Sequence, residues 1–194
     1  MKDEMRFWPK KKWKQALLVA FIALIIVVPV AFGLMGYVNS EPAFKNGVPA
    51  AVLAVGSPAF EDGEPIPTKY TALGENVNPP LIVTGIPMET ESLVVVVRDP
   101  IVPGVFSWTH WVVWNLPPIE DIAENTNVGI QGINGWNRNG YGGPDPVGER
   151  TYIFTVYALD DTLNLSADSG QGALLKAMDN HVLAKGQLTG TYQK

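Results

Sequence analysis

The chain has 194 residues, with 14 Lys/Arg against 19 Asp/Glu for a formal net charge of −5, and it has no cysteine. The missing cysteine excludes disulfides and a cysteine-linked lipid anchor, and two histidines alone leave too few ligands for an ordinary zinc centre. Six of the basic residues and two of the acids fall within residues 1–15, so the remainder carries about −9, which argues against a nucleic-acid partner.

Taken in order, residues 1–15 form a basic tail with Lys2, Arg6, Lys10, Lys11, Lys12 and Lys14. An uncharged, apolar run over 16–38 follows, and as a helix it would extend roughly 35 Å, enough to cross a bilayer core of about 30 Å. The basic flank comes before it and Glu41 is the first charge after it. The positive-inside rule therefore predicts a single-pass anchor in the cell membrane, amino terminus cytoplasmic and the rest outside. Trp8, Trp13 and Tyr37 suit the two interfacial belts. The alternative, a cleaved signal peptide, is disfavoured by the length of the run and the lack of a small-x-small site behind it.

Residues 39–50 read as a polar linker broken by Pro42, Gly47 and Pro49, and residues 51–194 as one folded domain. A first strand is expected at 50–55, then a turn-rich stretch to Asn78 and a short strand at 81–84. Four consecutive valines over 94–97 predict a buried strand, and 110–116 predict another. Residues 129–146 form a long Gly/Asn loop without periodicity. In the strand predicted at 151–159, Tyr152, Phe154, Val156 and Ala158 share a face. Leu174, Leu175, Met178 and Val182 recur at helical spacing and predict a soluble helix over 172–184, with a last strand at 187–192. Many strands, one late helix and proline-rich connections predict a mainly β, antiparallel β-sandwich behind the transmembrane helix.

Chemistry-bearing residues gather at the ends of these runs. Alternation places Asp99 on the stripe of Leu93, Val95 and Val97, where an acid is either a solvated cap or a pocket group. The same rule puts His110 on the face of Val112 and Trp114, the ordinary position of a core histidine. The Gly129–Pro146 loop is not a phosphate-binding P-loop, because no Gly-Lys-Ser/Thr follows.

In order along the domain, Ser57-Pro58-Ala59-Phe60, Asn78-Pro79-Pro80-Leu81, Arg98-Asp99-Pro100, His110-Trp111-Val112-Val113-Trp114-Asn115-Leu116-Pro117 and Gly140-Tyr141-Gly142-Gly143-Pro144 resemble the signatures of the phosphatidylethanolamine-binding protein family, in its bacterial and archaeal Raf-kinase-inhibitor-like branch. The resemblance implies a pocket lined by Asp99, Trp108, His110, Gly142, Gly143, Pro144 and Tyr152. Two positions depart from the pattern. Ile101 replaces an acid, and Arg150 stands where the family has a second histidine. Arg150 is added to the site on either of two readings: it strengthens binding as a bidentate fork, or it pairs with Asp99 and fills the pocket.

The expected ligand is a small anion or a phospholipid headgroup such as phosphoethanolamine. His110, loop N–H groups and Arg150 would hold phosphate, and Asp99 would take an ammonium while favouring protonated His110 below about pH 7. No nucleophile motif such as Gly-x-Ser-x-Gly is present, so a binding module without cofactor, metal or catalytic residue is expected rather than an enzyme. The alternative is an extracytoplasmic protein-interaction or inhibitor module with a degenerate pocket.

Overall fold

The computed structural model describes residues 41–49, 51–103 and 106–194. The chain divides into two units, Met1–Val38 and Asn39–Lys194, and every described residue belongs to the second. The basic tail at 1–15 and the helix expected over 16–38 lie outside the described residues.

The elements are β1 (Ala51–Val52), β2 (Ala54–Gly56), β3 (Leu81–Thr84), β4 (Ser92–Val102), β5 (Phe106–Leu116), β6 (Asp121–Ile122), β7 (Ile130–Gln131), β8 (Arg150–Leu159), α1 (Gln171–Ala177) and β9 (Val182–Tyr192). A six-stranded sheet in the order β1-β9-β8-β4-β5-β7 packs on a three-stranded sheet, β2-β3-β6. The valine run explains why the large sheet sits at the centre. Val95 and Val97 face the small sheet with Val83, Trp111, Phe154 and Leu188. Val94 and Val96 face the other way, under Leu174 and Leu175 of α1 and its C-cap Met178. A strand buried on both faces needs apolar residues at every position, and each such side chain contributes roughly 1.5–3 kcal/mol when taken from water.

The fold expectation is corrected in its membrane part. Among the described residues no helix is long and apolar enough to cross a membrane. The α-helix there, α1, has seven residues, about 10 Å of length. Nor is the sandwich wholly antiparallel, because β1 runs parallel to β9. The helix expected over 172–184 stops at Ala177, with Met178 as its C-cap. Asn180 then adopts φ 65° and its N–H donates to the Ala43 carbonyl (3.0 Å), so Val182 opens β9 instead of a further helical turn.

Both long outer edges of the large sheet are met piecemeal. Along β9, N–H groups of Leu53, Gly63 and Ile66 donate to the carbonyls of Lys185, Thr189 and Thr191. Along β5, N–H groups of Gly132, Gly135 and Gly142 donate to Val112, Thr109 and His110. The segment at 41–47 also lies on the sheet. Glu41 Oε1 accepts from Arg98 Nη2 (2.7 Å), and its Oε2 accepts from Tyr157 Oη (2.7 Å) and Lys185 Nζ (3.3 Å). Lys45 pairs with Asp160.

Candidate functional site

Asp99, Arg150 and Tyr152 meet because β4 and β8 are antiparallel neighbours in the register Arg98↔Ile153, Val97↔Phe154. Period-2 alternation carries Val95, Val97 and Asp99 along one face, as expected, and Tyr152, Phe154 and Val156 share it. Pro100 does not end the strand. It sits past the last β4–β8 pair, where a missing N–H costs no ladder bond to β8.

His110 is not on the face that alternation gives it. Val97 pairs with Trp111, yet Arg98 pairs with Thr109, so His110 is the extra residue of a β-bulge. The bulge turns its ring away from Val112 and toward Tyr152. The His110 and Tyr152 rings are edge-on with centroids 5.0 Å apart, and Trp136 stands at the same distance on another side. Thr109, by contrast, donates its hydroxyl to Gln171 Oε1 of α1 (2.7 Å) on the opposite face.

The loop is bound to this bulge by two reciprocal bonds. Gly142 N–H donates to the His110 carbonyl (2.8 Å), and His110 Nδ1 donates to the Gly142 carbonyl (2.6 Å). Gly143 N–H donates to Asn76 Oδ1 (2.7 Å), and Pro144 accepts from Ala72 N–H (3.0 Å). Both glycine amides are thus committed within the protein, and the expectation that they hold phosphate is corrected. The glycines serve close approach. A Cβ on Gly142 would stand 2.5 Å from the Trp136 ring, and one on Gly143 would stand 2.6 Å from the Tyr70 carbonyl.

Arg150 forms a fork on Asp99, with Nε 3.1 Å from each carboxylate oxygen and Nη2 2.7 Å from Oδ1. Arg150 therefore pairs with Asp99, the contact that one of the two sequence readings supposes. Its side chain nevertheless remains 29% exposed, against 12% for Asp99. With both oxygens of Asp99 accepting from the fork, the carboxylate does not stand open to an ammonium.

Burial pushes the His110 pKa below its ordinary value, and the Gly142 carbonyl and the Asp99 charge oppose this without overcoming it. The expected preference for imidazolium is therefore reversed. Burial first, and the Asp99 charge second, raise the Tyr152 phenol, which stays a donor throughout the neutral range. Neither His110 Nε2 nor Tyr152 Oη belongs to the polar atoms that are both sealed and unpartnered among the described residues, which are Thr90 Oγ1, Trp108 Nε1 and Trp114 Nε1. Among the described residues no hydrogen bond engages either atom, and both residues are almost wholly buried, His110 at 4% exposure and Tyr152 at 1%.

Sequence reasoning missed Trp136, whose ring is edge-on to Trp108 (5.5 Å) as well as to His110, and which is 43% exposed. It also missed Asn134, whose Oδ1 accepts from the N–H groups of Trp136 and Arg138 and whose Nδ2 donates to the Gly140 carbonyl. The signal was an indole in a loop with no periodicity to bury it. A cavity of about 260 Å³ lies beside this wall, lined by Asn76, Trp136, Arg138, Gly142, Gly143 and Asp145 among others. Of the expected site residues it reaches Gly142 and Gly143 and none of Asp99, Trp108, His110, Pro144, Arg150 and Tyr152. Among the described residues no three His, Cys, Asp or Glu side chains converge as a metal would require.

This arrangement has clear relatives. The sequence profile described as "Phosphatidylethanolamine-binding protein" matches residues 56–193. The chain belongs to the phosphatidylethanolamine-binding protein family. It is 43% identical over 151 residues to a UPF0098 protein of Pyrococcus abyssi, covering 71% of this chain and 84% of that one. A UPF0098 protein of Chlamydia trachomatis is 40% identical over 145 residues, covering 71% and 97%. Among solved structures, the phosphatidylethanolamine-binding protein homologue CT736 of Chlamydia trachomatis matches with a TM-score of 0.69 at 39% identity, over 74% of this chain and 98% of that one. YbcL of E. coli matches with a TM-score of 0.64 at 27% identity, over 73% and 98%. The family fold is consistent with ligand binding in general, and the His110–Tyr152–Arg150 cluster is where this member brings polar side chains together.

Proposed function

We propose that this member of the phosphatidylethanolamine-binding protein family binds the oxyanion end of a small ligand, a phosphate group either free or on a phospholipid headgroup. The observation that carries the reading is the Arg150 fork. Asp99 engages Nε and one edge of the guanidinium and leaves Nη1 without a partner among the described residues, on a side chain that is still partly exposed. Guanidinium donors in a fixed plane match phosphate or carboxylate geometry. Tyr152 Oη supplies a second donor, and His110 closes the far side. Asp99 serves to aim Arg150, and the ammonium role expected for it is dropped. The domain is a binding module in this reading, and turnover of phosphomonoesters that is lost in His110→Ala would replace it with an enzyme.

One observation favours the alternative interaction module: the same guanidinium occupies the carboxylate that a ligand would otherwise meet. Calorimetric titration of inorganic phosphate and phosphoethanolamine into the full chain, Arg150→Ala and Arg150→His separates the cases. Binding that Arg150→Ala weakens by roughly 1.5–3 kcal/mol supports the oxyanion site. A silent wild type with binding created in Arg150→His means that Arg150 closes the pocket. Silence in all three overturns the ligand reading in favour of the interaction module.

A further inference from the structure

The tautomer of His110 follows from what it touches. A carbonyl oxygen only accepts, so at 2.6 Å from the Gly142 carbonyl the Nδ1 atom must carry hydrogen. A neutral imidazole has one such hydrogen, and its Nε2 is left with a lone pair. The groups facing the ring are the Tyr152 phenol from β8, the Trp136 indole and the Gly142 carbonyl from the loop, and Asp99 from β4. Asp99 is the one charge among them that would draw a second proton onto the ring, and Arg150 already answers it with a three-contact fork. Nε2 is therefore an acceptor, on a ring that is almost wholly buried and without a partner for it among the described residues.

We infer that the His110 side of the site selects ligands by a hydrogen on the oxyanion itself, taking hydrogen phosphate or a phosphomonoester monoanion and rejecting bare oxyanions such as sulfate and the phosphodiester of an intact phospholipid headgroup, so that of the two sources proposed above it favours free phosphate. The inference rests on oxyanion binding at Arg150 and Tyr152 and adds the rule by which that site discriminates. A bare oxygen placed against Nε2 sets lone pair against lone pair in a low-dielectric setting, and an unsatisfied buried acceptor is costly. An oxygen that carries hydrogen donates to Nε2 instead. Inorganic phosphate keeps such a hydrogen at neutral pH. A phosphomonoester loses its own near pH 6, and sulfate has none to offer.

The test titrates inorganic phosphate, methyl phosphate and sulfate into the full chain by calorimetry. Near pH 8, inorganic phosphate should bind tighter than sulfate and than the methyl phosphate dianion, each by on the order of tenfold or more. Near pH 5.5, methyl phosphate should come within a few-fold of inorganic phosphate, because it then carries its proton. In His110→Gln the side-chain amide can donate to a bare oxygen, so the preference over sulfate should collapse while binding persists. Nitrogen-15 spectra of the ligand-free wild type should show a neutral His110 ring with hydrogen on Nδ1, a readout that needs no variant to fold. Equal binding of phosphate and sulfate near pH 8, or a ring with hydrogen on Nε2, overturns the inference and leaves the oxyanion site standing. No binding of any of the three anions overturns the site itself.

Discussion

Burial keeps the His110 ring neutral to lower pH than an exposed imidazole, and the consequence is measurable as stability. The unfolded chain takes up this proton near pH 6.5 and the folded one only below that, so the unfolded state binds more protons in the window between. The stability tied to the neutral ring is complete above about pH 6.5 and declines as pH falls through it. His110→Gln should flatten that decline in urea melts, and an unchanged slope would place the acid sensitivity elsewhere. The stripes that carry Asp99 in β4 and Tyr152 in β8 were each legible from alternation, but that the two share one face of the sheet was not. The orientation of His110 was not, because a bulge inserts one residue without a mark in the hydrophobic pattern and everything on its far side changes face. Nor did the sequence separate the two roles of Arg150, since pairing across β4 and β8 depends on register and not on spacing along the chain.

The loop over 129–146 acts through contacts that composition does not reveal. A methyl group on Gly143 meets the backbone of Tyr70 and Thr71, which has nowhere to go, whereas one on Gly142 meets the edge of the half-exposed Trp136 ring. Gly143→Ala should therefore destabilise by roughly 1–3 kcal/mol and Gly142→Ala by less. Denaturant melts give the first comparison, and Trp136 fluorescence should shift in Gly142→Ala alone. At the other end of the domain, the stretch read as a polar linker carries Glu41. Burial works against its charge, but the bonds from Tyr157 and Arg98 outweigh that and hold its carboxyl below the usual range. Its contribution is present above about pH 4.5 and is lost as pH falls through the lowered folded value. Glu41→Gln leaves Arg98, itself buried, with weaker compensation. The expected cost is about 1–2 kcal/mol, kept small because Glu41 is more than a third exposed. A melt unchanged from wild type would mean that water replaces the carboxylate without loss.

For the molecule as a whole, the sandwich, its long strands and the late helix could be read from apolar runs and proline-rich breaks. The parallel β1–β9 pair and the short helix could not, because both depend on the segment around Ala43 folding back onto β9. A sheet buried on both faces concentrates stability in β4, where Val94–Val97 are all enclosed. Val96→Ala should cost roughly 2–3 kcal/mol in denaturant melts, more than any substitution at the exposed rim. The loop that carries Gly142 also has a second office. Its N–H groups occupy the free carbonyls of β5 at Thr109, His110 and Val112, which would otherwise form an open ladder for a strand from another molecule. The seating of the His110 bulge and protection from fibril-like self-association thus depend on the same few amides. A variant that unseats this loop would open β5 to pairing between molecules, which limits how far the loop can drift in sequence while the protein remains in solution.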